Sequence, residues 1–267
     1  MPEEQRVLDI LRLEKHGADT YVGESPRYGW GRIYGGLVIA QALRAAMHSV
    51  DTDRHVVHSL HAYFILGGNP EEPVRYEVDR LRNGRSFSTR QVVARQSSGA
   101  ILNLSASFQR YEEGPDVSSV AFPDDVRPPG SGKPLEWGVG LEARIELESS
   151  DPARHRVWAR YTGSLADAPD DHFAALAYLS DVNTIDAVIT AHPVQRGERD
   201  WDEVYMSASL DHAMWFHRPV RAEEWLLFDL RPHQFIGTRG LVVGDVFTCS
   251  GELVATVAQQ GLVRVRT

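Results

Sequence analysis

Cysteine is nearly absent from this chain, which has one, Cys249, in 267 residues. That excludes an internal disulfide framework and any cysteine-rich metal cluster. The strand formers before it, Val246, Phe247 and Thr248, predict a buried free thiol. Long apolar runs are missing too. No stretch approaches the ~18–20 residues of a membrane-spanning helix, so no membrane span is expected. The first residues, Met1-Pro2-Glu3-Glu4-Gln5-Arg6, hold no basic segment leading into an apolar core. The last, Arg264-Val265-Arg266-Thr267, match no lipidation or retention tag, and a cytoplasmic protein is expected. Positive charge is in deficit: 28 Lys and Arg against 37 Asp and Glu leave a formal −9 at pH 7. This argues against non-specific nucleic-acid binding, so no nucleic-acid partner is expected. It leaves room for a local basic patch that meets an anionic ligand.

What the chain does contain is ordinary globular text, 42% hydrophobic and 24% charged. At ~100–200 residues per domain the length fits one large or two modest domains. Residues 5–15 suit a short amphipathic helix or a lead-in. A glycine-studded loop follows up to Gly36. Residues 37–47 are apolar all round and rich in alanine, which predicts a helix covered by other structure on most sides. Strands are then expected at 58–65, 73–79, 86–95 and 101–110, with a tight turn at Ser97-Ser98-Gly99. Residues 113–135, with Pro115, Pro123, Pro128, Pro129, Gly130 and Gly132, read as a linker. A second unit follows, with strands in 140–162, a helix over 172–190, and strands from Tyr205 onward.

The two halves echo each other. Ser59-Leu60 matches Ser209-Leu210, and Phe64 matches Phe216. Ser98-Gly99 before Ile101-Leu102 matches Ser250-Gly251 before Leu253-Val254. Similar order and spacing point to a tandem duplication. The expected organisation is an N-terminal unit (1–112), the linker (113–135) and a C-terminal unit (136–267). Each unit would be a central helix wrapped by an antiparallel sheet, an α+β arrangement that explains the all-apolar helix.

Several segments resemble the type II acyl-CoA thioesterases. Tyr34-Gly35-Gly36-Leu37-Val38-Ile39-Ala40-Gln41-Ala42-Leu43 resembles the start of their buried helix. His58-Ser59-Leu60-His61-Ala62-Tyr63-Phe64, Asn83-Gly84-Arg85-Ser86-Phe87 and Ser105-Ala106-Ser107-Phe108-Gln109 resemble their first repeat. The second repeat is matched by Ser209-Leu210-Asp211-His212-Ala213-Met214-Trp215-Phe216-His217-Arg218-Pro219, by Arg239-Gly240-Leu241 and by Gln259-Gln260-Gly261. The resemblance spans roughly residues 5–265. It implies a double hotdog fold with both sheets joined into one. It also implies hydrolysis of fatty acyl-CoA without a cofactor or metal, with the chemistry in the later copy. Homo-oligomers follow from fold analogy.

Thioester hydrolysis needs a water aimed at the carbonyl and hydrogen-bond donors for the oxyanion that forms. Asp211 lies in strand text between apolar and aromatic neighbours, where a carboxylate is costly unless used or paired. Read alone, it caps a turn or pairs with Arg218 or Arg239; the resemblance implies the catalytic carboxylate. Gln259, read alone, is a surface residue; the resemblance implies the catalytic glutamine, which positions water through its amide. The family's Ser or Thr between them falls here on Pro232 or His233, and neither carries a hydroxyl. His233 would substitute as hydrogen-bond partner or base, or stay in solvent; Gln234 also fits the space. Leu37 stands where the family often has Gln. Substrate contacts are expected from Gly35, Gly36, Tyr63, Thr238 and Arg239. For the oxyanion, the helix start at Gly35-Gly36 and the segment at Ser180-Asp181 are both candidates.

Other constellations carry less. In a strand His58 and His61 face opposite ways, so no shared metal ion is expected. Asp211 and His217 stand six residues apart, ~20 Å along a strand, too far for a hydratase pair. Arg75, Arg80, Arg82, Arg85, Arg90 and Arg95 would meet CoA phosphates or form a solvated strand face. The departure at 232–233 keeps a second function in play, a non-hydrolytic acyl-CoA binder.

Overall fold

The apolar run after Tyr34 forms helix α1, Gly35–Met47, and every residue in it except Gly35 and Arg44 is buried. Such a helix survives only inside a wrapper. In this computed structural model, which describes residues 9–51, 54–136, 139–146, 154–190, 192–194, 197, 199 and 201–266, the wrapper is a β-sheet. Strands β1 (Glu14–Gly17), β2 (Thr20–Gly23), β3 (His55–Phe64), β4 (Val74–Asn83), β5 (Phe87–Gln96) and β6 (Gly99–Arg110) belong to the first half. Buried Gln41 ties helix to wrapper: its Nε2 donates to the carbonyls of Ile10 (2.7 Å) and Glu24 (3.0 Å), and Tyr76 Oη donates to its Oε1 at 2.6 Å. A buried amide with these partners costs little.

The second half repeats the plan with β7 (Lys133–Leu135), β8 (Leu141–Ile145), β9 (His155–Tyr161), α2 (Pro169–Leu179), α3 (Thr184–Thr190), a single turn α4 (Trp201–Val204), β10 (Tyr205–Phe216), β11 (Leu226–Ile236), β12 (Arg239–Thr248) and β13 (Leu253–Val265). All these strands join one sheet, ordered β1-β2-β4-β5-β6-β3-β10-β13-β12-β11-β9-β8-β7. Read outward from the centre, β3-β6-β5-β4-β2 on one side mirrors β10-β13-β12-β11-β9 on the other. The halves are joined by antiparallel pairing of β3 with β10, where Tyr63 lies opposite Asp211 and Ser59 opposite Trp215. No helix among the described residues is long and apolar enough to cross a membrane.

Four expectations change. The helix over 172–190 is broken into α2 and α3, because Asn183 adopts a left-handed backbone (φ 56) that asparagine tolerates better than most residues. Within 5–15, the first residues lie outside those described, 9–11 form a turn, and Glu14 already starts β1. The linker ends in β7, which adds an edge strand beside β8. Cys249 is exposed, because the apolar run stops at Thr248 and Cys249 begins the turn to β13.

Glycine explains how α3 reaches the sheet. Gly240 on β12 and Gly261 on β13 are cross-strand partners. A Cβ at Gly261 would lie 2.5 Å from Ile185 Cδ1, and one at Gly240 would collide with Val188. Both contacts are side chains of α3. The paired glycines form a shallow trough, and α3 lies in it. Gly261→Val therefore overpacks this contact at a cost of about 1–3 kcal/mol. Thermal melts should show Tm lower by roughly 2–12 °C for Gly261→Val. Gly114→Ala, with nothing near its Cβ, should melt as the parent does.

Candidate active site

The start of α1 is capped by the other half of the molecule. Its N-cap residue, Tyr34, makes no side-chain cap; the Tyr34 hydroxyl instead donates to the Tyr178 carbonyl at 3.0 Å. The cap comes from Asp181, just past the end of α2. Asp181 Oδ2 accepts the Gly36 N–H at 2.9 Å, and Oδ1 accepts Gln259 Nε2 at 2.9 Å and Thr184 Oγ1 at 3.3 Å. This close approach needs glycine twice. A Cβ at Gly35 would sit 2.7 Å from Asp181 Oδ2, and one at Gly36 would strike the Tyr178 carbonyl.

Gln259 is the hub of a buried network. Its Nε2 also donates to Ser209 Oγ at 2.9 Å, and its Oε1 lies 2.6 Å from His212 Nδ1. His212 Nε2 lies 2.9 Å from Ser180 Oγ. Burial disfavours charge on both ionisable members: it raises the Asp181 pKa above the ordinary carboxylate value and lowers that of His212. The charge of His212 and then the Gln259, Gly36 and Thr184 donors pull Asp181 the other way without reversing the shift.

Two members of the network, Asp181 and Ser209, stand on the wall of a cleft of about 600 Å³ between the halves. Apolar side chains Ile33, Val38, Phe64, Ile101 and Ile185 line it, together with Gly35, Asp181 and Ser209. Trp30 and Arg32, both exposed, mark its mouth. A carboxylate of raised basicity, a hydroxyl and an amide thus converge beside a helix N-terminus, on the edge of an apolar cavity. Such a site can hold an apolar chain, take a proton from water and stabilise an anion.

The structure sorts the candidate residues. Gln259, Gly35 and Gly36 come together here. Asp211 does not join Gln259. A bulge at Leu210 shifts the β10–β13 register between Ser209 and Asp211, so Ser209 and His212 both point inward while Asp211 faces out. Asp211 Oδ1 accepts the Gln260 N–H at 2.9 Å on the outer face, beside exposed Tyr63. His233 is exposed in the bulge between Pro232 and Gln234 on β11, two strands from Gln259 and so roughly 10 Å away. Thr238 and Arg239 are exposed at the β11–β12 turn, and neither lines the cleft. Pro232 and His233 bring no hydroxyl to Gln259; the one that meets it is Ser209 on β10. The arginine cluster is largely engaged elsewhere: Arg75 and Arg95 pair with Glu77, Arg80 pairs with Asp19, and Arg90 is buried against Ser49 and Asn83.

Asp181 left a signal in the sequence. A carboxylate two residues after the apolar Phe173–Leu179 run must be paired or used. The bulge left none, because a strand's text shows alternation and not its interruption.

Two family profiles match, the acyl-CoA thioesterase N-terminal domain over residues 25–109 and the acyl-CoA thioesterase C-terminal domain over 112–263. Acyl-coenzyme A thioesterase 8 of Mus musculus is 34% identical, covering 97% of this chain and 89% of that protein. Acyl-CoA thioesterase 2 of Haemophilus influenzae is 32% identical, covering 97% and 96%. Among solved structures, an acyl-CoA thioesterase II of Mycobacterium marinum superposes with a TM-score of 0.80 at 36% identity, covering 98% of each chain. A hot dog fold protein of Alicyclobacillus acidocaldarius shares the fold, with a TM-score of 0.76 at 20% identity over 98% of each chain. Two hotdog units in one sheet, matched across nearly the whole chain, place this protein in the acyl-CoA thioesterase family.

Proposed function

We propose that this protein hydrolyses fatty acyl-CoA thioesters in the cleft between its halves, with Asp181 as general base. The observation that carries the reading is the buried Asp181 carboxylate, fixed by Gly36, Gln259 and Thr184 on the wall of an apolar cavity. The acyl chain lies along Val38, Phe64, Ile101 and Ile185. Asp181 takes a proton from a water as its oxygen bonds to the thioester carbon. The oxyanion is stabilised by the positive end of α1. Ser209 Oγ already accepts from Gln259, so its own proton is directed into the cleft, toward the water or the oxyanion. Collapse breaks the C–S bond, and the proton held by Asp181 passes to the departing sulfur, giving fatty acid and free CoA.

The rest of the cleft suits a CoA handle. Asn183 stands on its wall. Arg32 at the mouth is the arginine positioned for the phosphates. The hydroxyl of Ser209 beside Gln259 supports hydrolysis over the non-hydrolytic binder, which rested on a missing hydroxyl. A homo-oligomer belongs to the same proposal, supported by fold analogy alone; a monomer mass by light scattering would remove it.

Purified protein given palmitoyl-CoA, hexanoyl-CoA and crotonyl-CoA should release free thiol without loss of the crotonyl double bond. Binding without thiol release at any chain length would overturn the reading. Asp181→Asn should lower kcat by about 10²–10⁴-fold, while Asp211→Asn should stay within about threefold of the parent. The opposite order would return the base role to Asp211. The base works only when ionised, and burial raises the Asp181 pKa. Activity should therefore fall on the acid side with a midpoint above the ordinary ~3.9 of an aspartate. An acid limb at or below that value would contradict a buried base.

A further inference from the structure

The outward positions of the six strands at the middle of the sheet line up in three cross-strand rows. One runs from Val93 on β5 to Leu241 on β12, the next from Gln91 to Val243, and the third from Thr89 to Asp245. The residues that alternate with them, such as Leu60, Leu104, Met214 and Val257, belong to the core. Of the whole chain 24% is charged. These rows carry only two charged residues, Asp211 and Asp245, and no Lys, Arg or Glu. Both carboxylates already bond within the chain. Asp211 accepts the Gln260 N–H at 2.9 Å, and Asp245 accepts from Thr256 Oγ1 at 3.0 Å.

Large aromatic groups stand on this face in solvent. Tyr63 is 67% exposed, and Trp215, edge-on to His61 at 5.3 Å, is 38% exposed. Exposed Phe87 extends the patch through a further row with Gln109 and Val56. Charge returns at the border, where Glu77, opposite Val93, pairs with Arg75 and Arg95. An aromatic, nearly uncharged centre inside a charged rim is the composition of a protein interface. The adjoining outer face already has its cover. There the linker crosses β9, β11 and β12: Phe122 stands edge-on to Phe247 at 5.5 Å, and Trp158 Nε1 donates to the Arg127 carbonyl at 2.9 Å. Tyr63 and Trp215 lie outside that cover.

Six strands ~4.8 Å apart and three rows ~6.8 Å apart span a plane of about 29 Å by 20 Å. With the relief of the side chains, its accessible area is of the order of the ~800 Å² per partner that a stable interface buries. A second copy is the occupant that fits. Each chain carries −9, so two copies repel except through a face with little charge. The strand order is symmetrical about the β3–β10 seam. Tyr63 and Asp211 are cross-strand neighbours on that seam, so a twofold axis along it sets each Tyr63 over Asp211 of the second copy, a phenol donor against a carboxylate. The ends of the sheet are poorer docking strands, since β1 has 4 residues and β7 carries Pro134. We propose that this outer face, centred on β3 and β10, is where two copies of the chain pack sheet against sheet. It supplies the contact for the homo-oligomer named above and is independent of the chemistry in the cleft.

The test is particle mass by light scattering on the full chain, for the parent, Tyr63→Arg, Ala213→Arg and Val117→Arg, with circular dichroism to report folding. The first two variants put a cation at the centre of the face. Val117→Arg adds the same charge in the linker, where the side chain is 89% exposed. At ~100 μM chain, well above the Kd of a stable pair, the parent should hold an even number of chains of 29.9 kDa each. Val117→Arg should keep the parent mass, and both face variants should fall to half of it or less. A parent of one chain, or of any odd number, leaves the face to another partner and overturns the proposal. So does a folded face variant that keeps the parent mass, or a Val117→Arg that loses it. Tyr63→Arg replaces an exposed side chain and decides alone where Ala213→Arg does not fold. These masses do not bear on hydrolysis. A single-chain protein that releases thiol from palmitoyl-CoA removes the contact and leaves the reaction standing; a paired protein that releases none does the reverse.

Discussion

Helix α1 begins with N–H groups that its own N-cap does not satisfy, and the carboxylate that satisfies one belongs to the opposite half of the molecule. The rest of the site depends on that contact. It brings the positive end of α1 against the end of α2, where Tyr178 offers its carbonyl to Tyr34. It makes Gly35 and Gly36 obligatory, since any side chain there displaces Asp181 or Tyr178. It also keeps a carboxylate in a place where burial alone would expel it. A cap ordinarily contributes ~1 kcal/mol and sits in solvent. Here it is buried, and burial raises the pKa of the group that joins the halves.

The duplication shows what happens where that contact is missing. Asp181 stands two residues past the end of α2; the residue two past the end of α1 is Ser49. Its hydroxyl accepts from the buried Arg90 at 2.6 Å. The start of α2 carries its own acids, and Asp171 pairs with Arg44 of α1 at 2.5 Å. The corresponding cavity shrinks to about 230 Å³, lined by Arg44, Met47, His48, Val50, Asp170 and Asp171. The same scaffold thus yields an apolar cleft with a lone buried carboxylate at one end and a neutralised ion pair at the other. An ion pair has no unmet demand for a proton, and a lone carboxylate does.

Much of the fold was legible because burial writes itself into composition. An alanine-rich run with no polar face can only be a wrapped helix, and α1 starts within two residues of the expected position. The matched Ser-Gly turns sit where the echo between the halves places them, between β5 and β6 and between β12 and β13. The site was half legible. Gln259 and the glycine pair carry distinctive text. Asp211 drew attention because it lies inside the longest matching segment, but a single extra residue, Leu210, turns it outward and brings Ser209 and His212 in. Asp181 hid behind a reading of 172–190 as one helix, in which it would have been an ordinary helical residue. The break at Asn183 makes it a cap.

The balance at Asp181 explains why no arginine or lysine stands against it. Two or three N–H donors in a polar setting hold a carboxylate well below its ordinary pKa and spoil it as a base. An arginine in that position would do so more strongly. Complete burial with no donor would leave the group protonated at neutral pH. His212, Gln259, Gly36 and Thr184 together supply limited support against a larger desolvation cost, and the outcome is a raised value. Basicity at this site is therefore set by burial against the few groups that face the carboxylate.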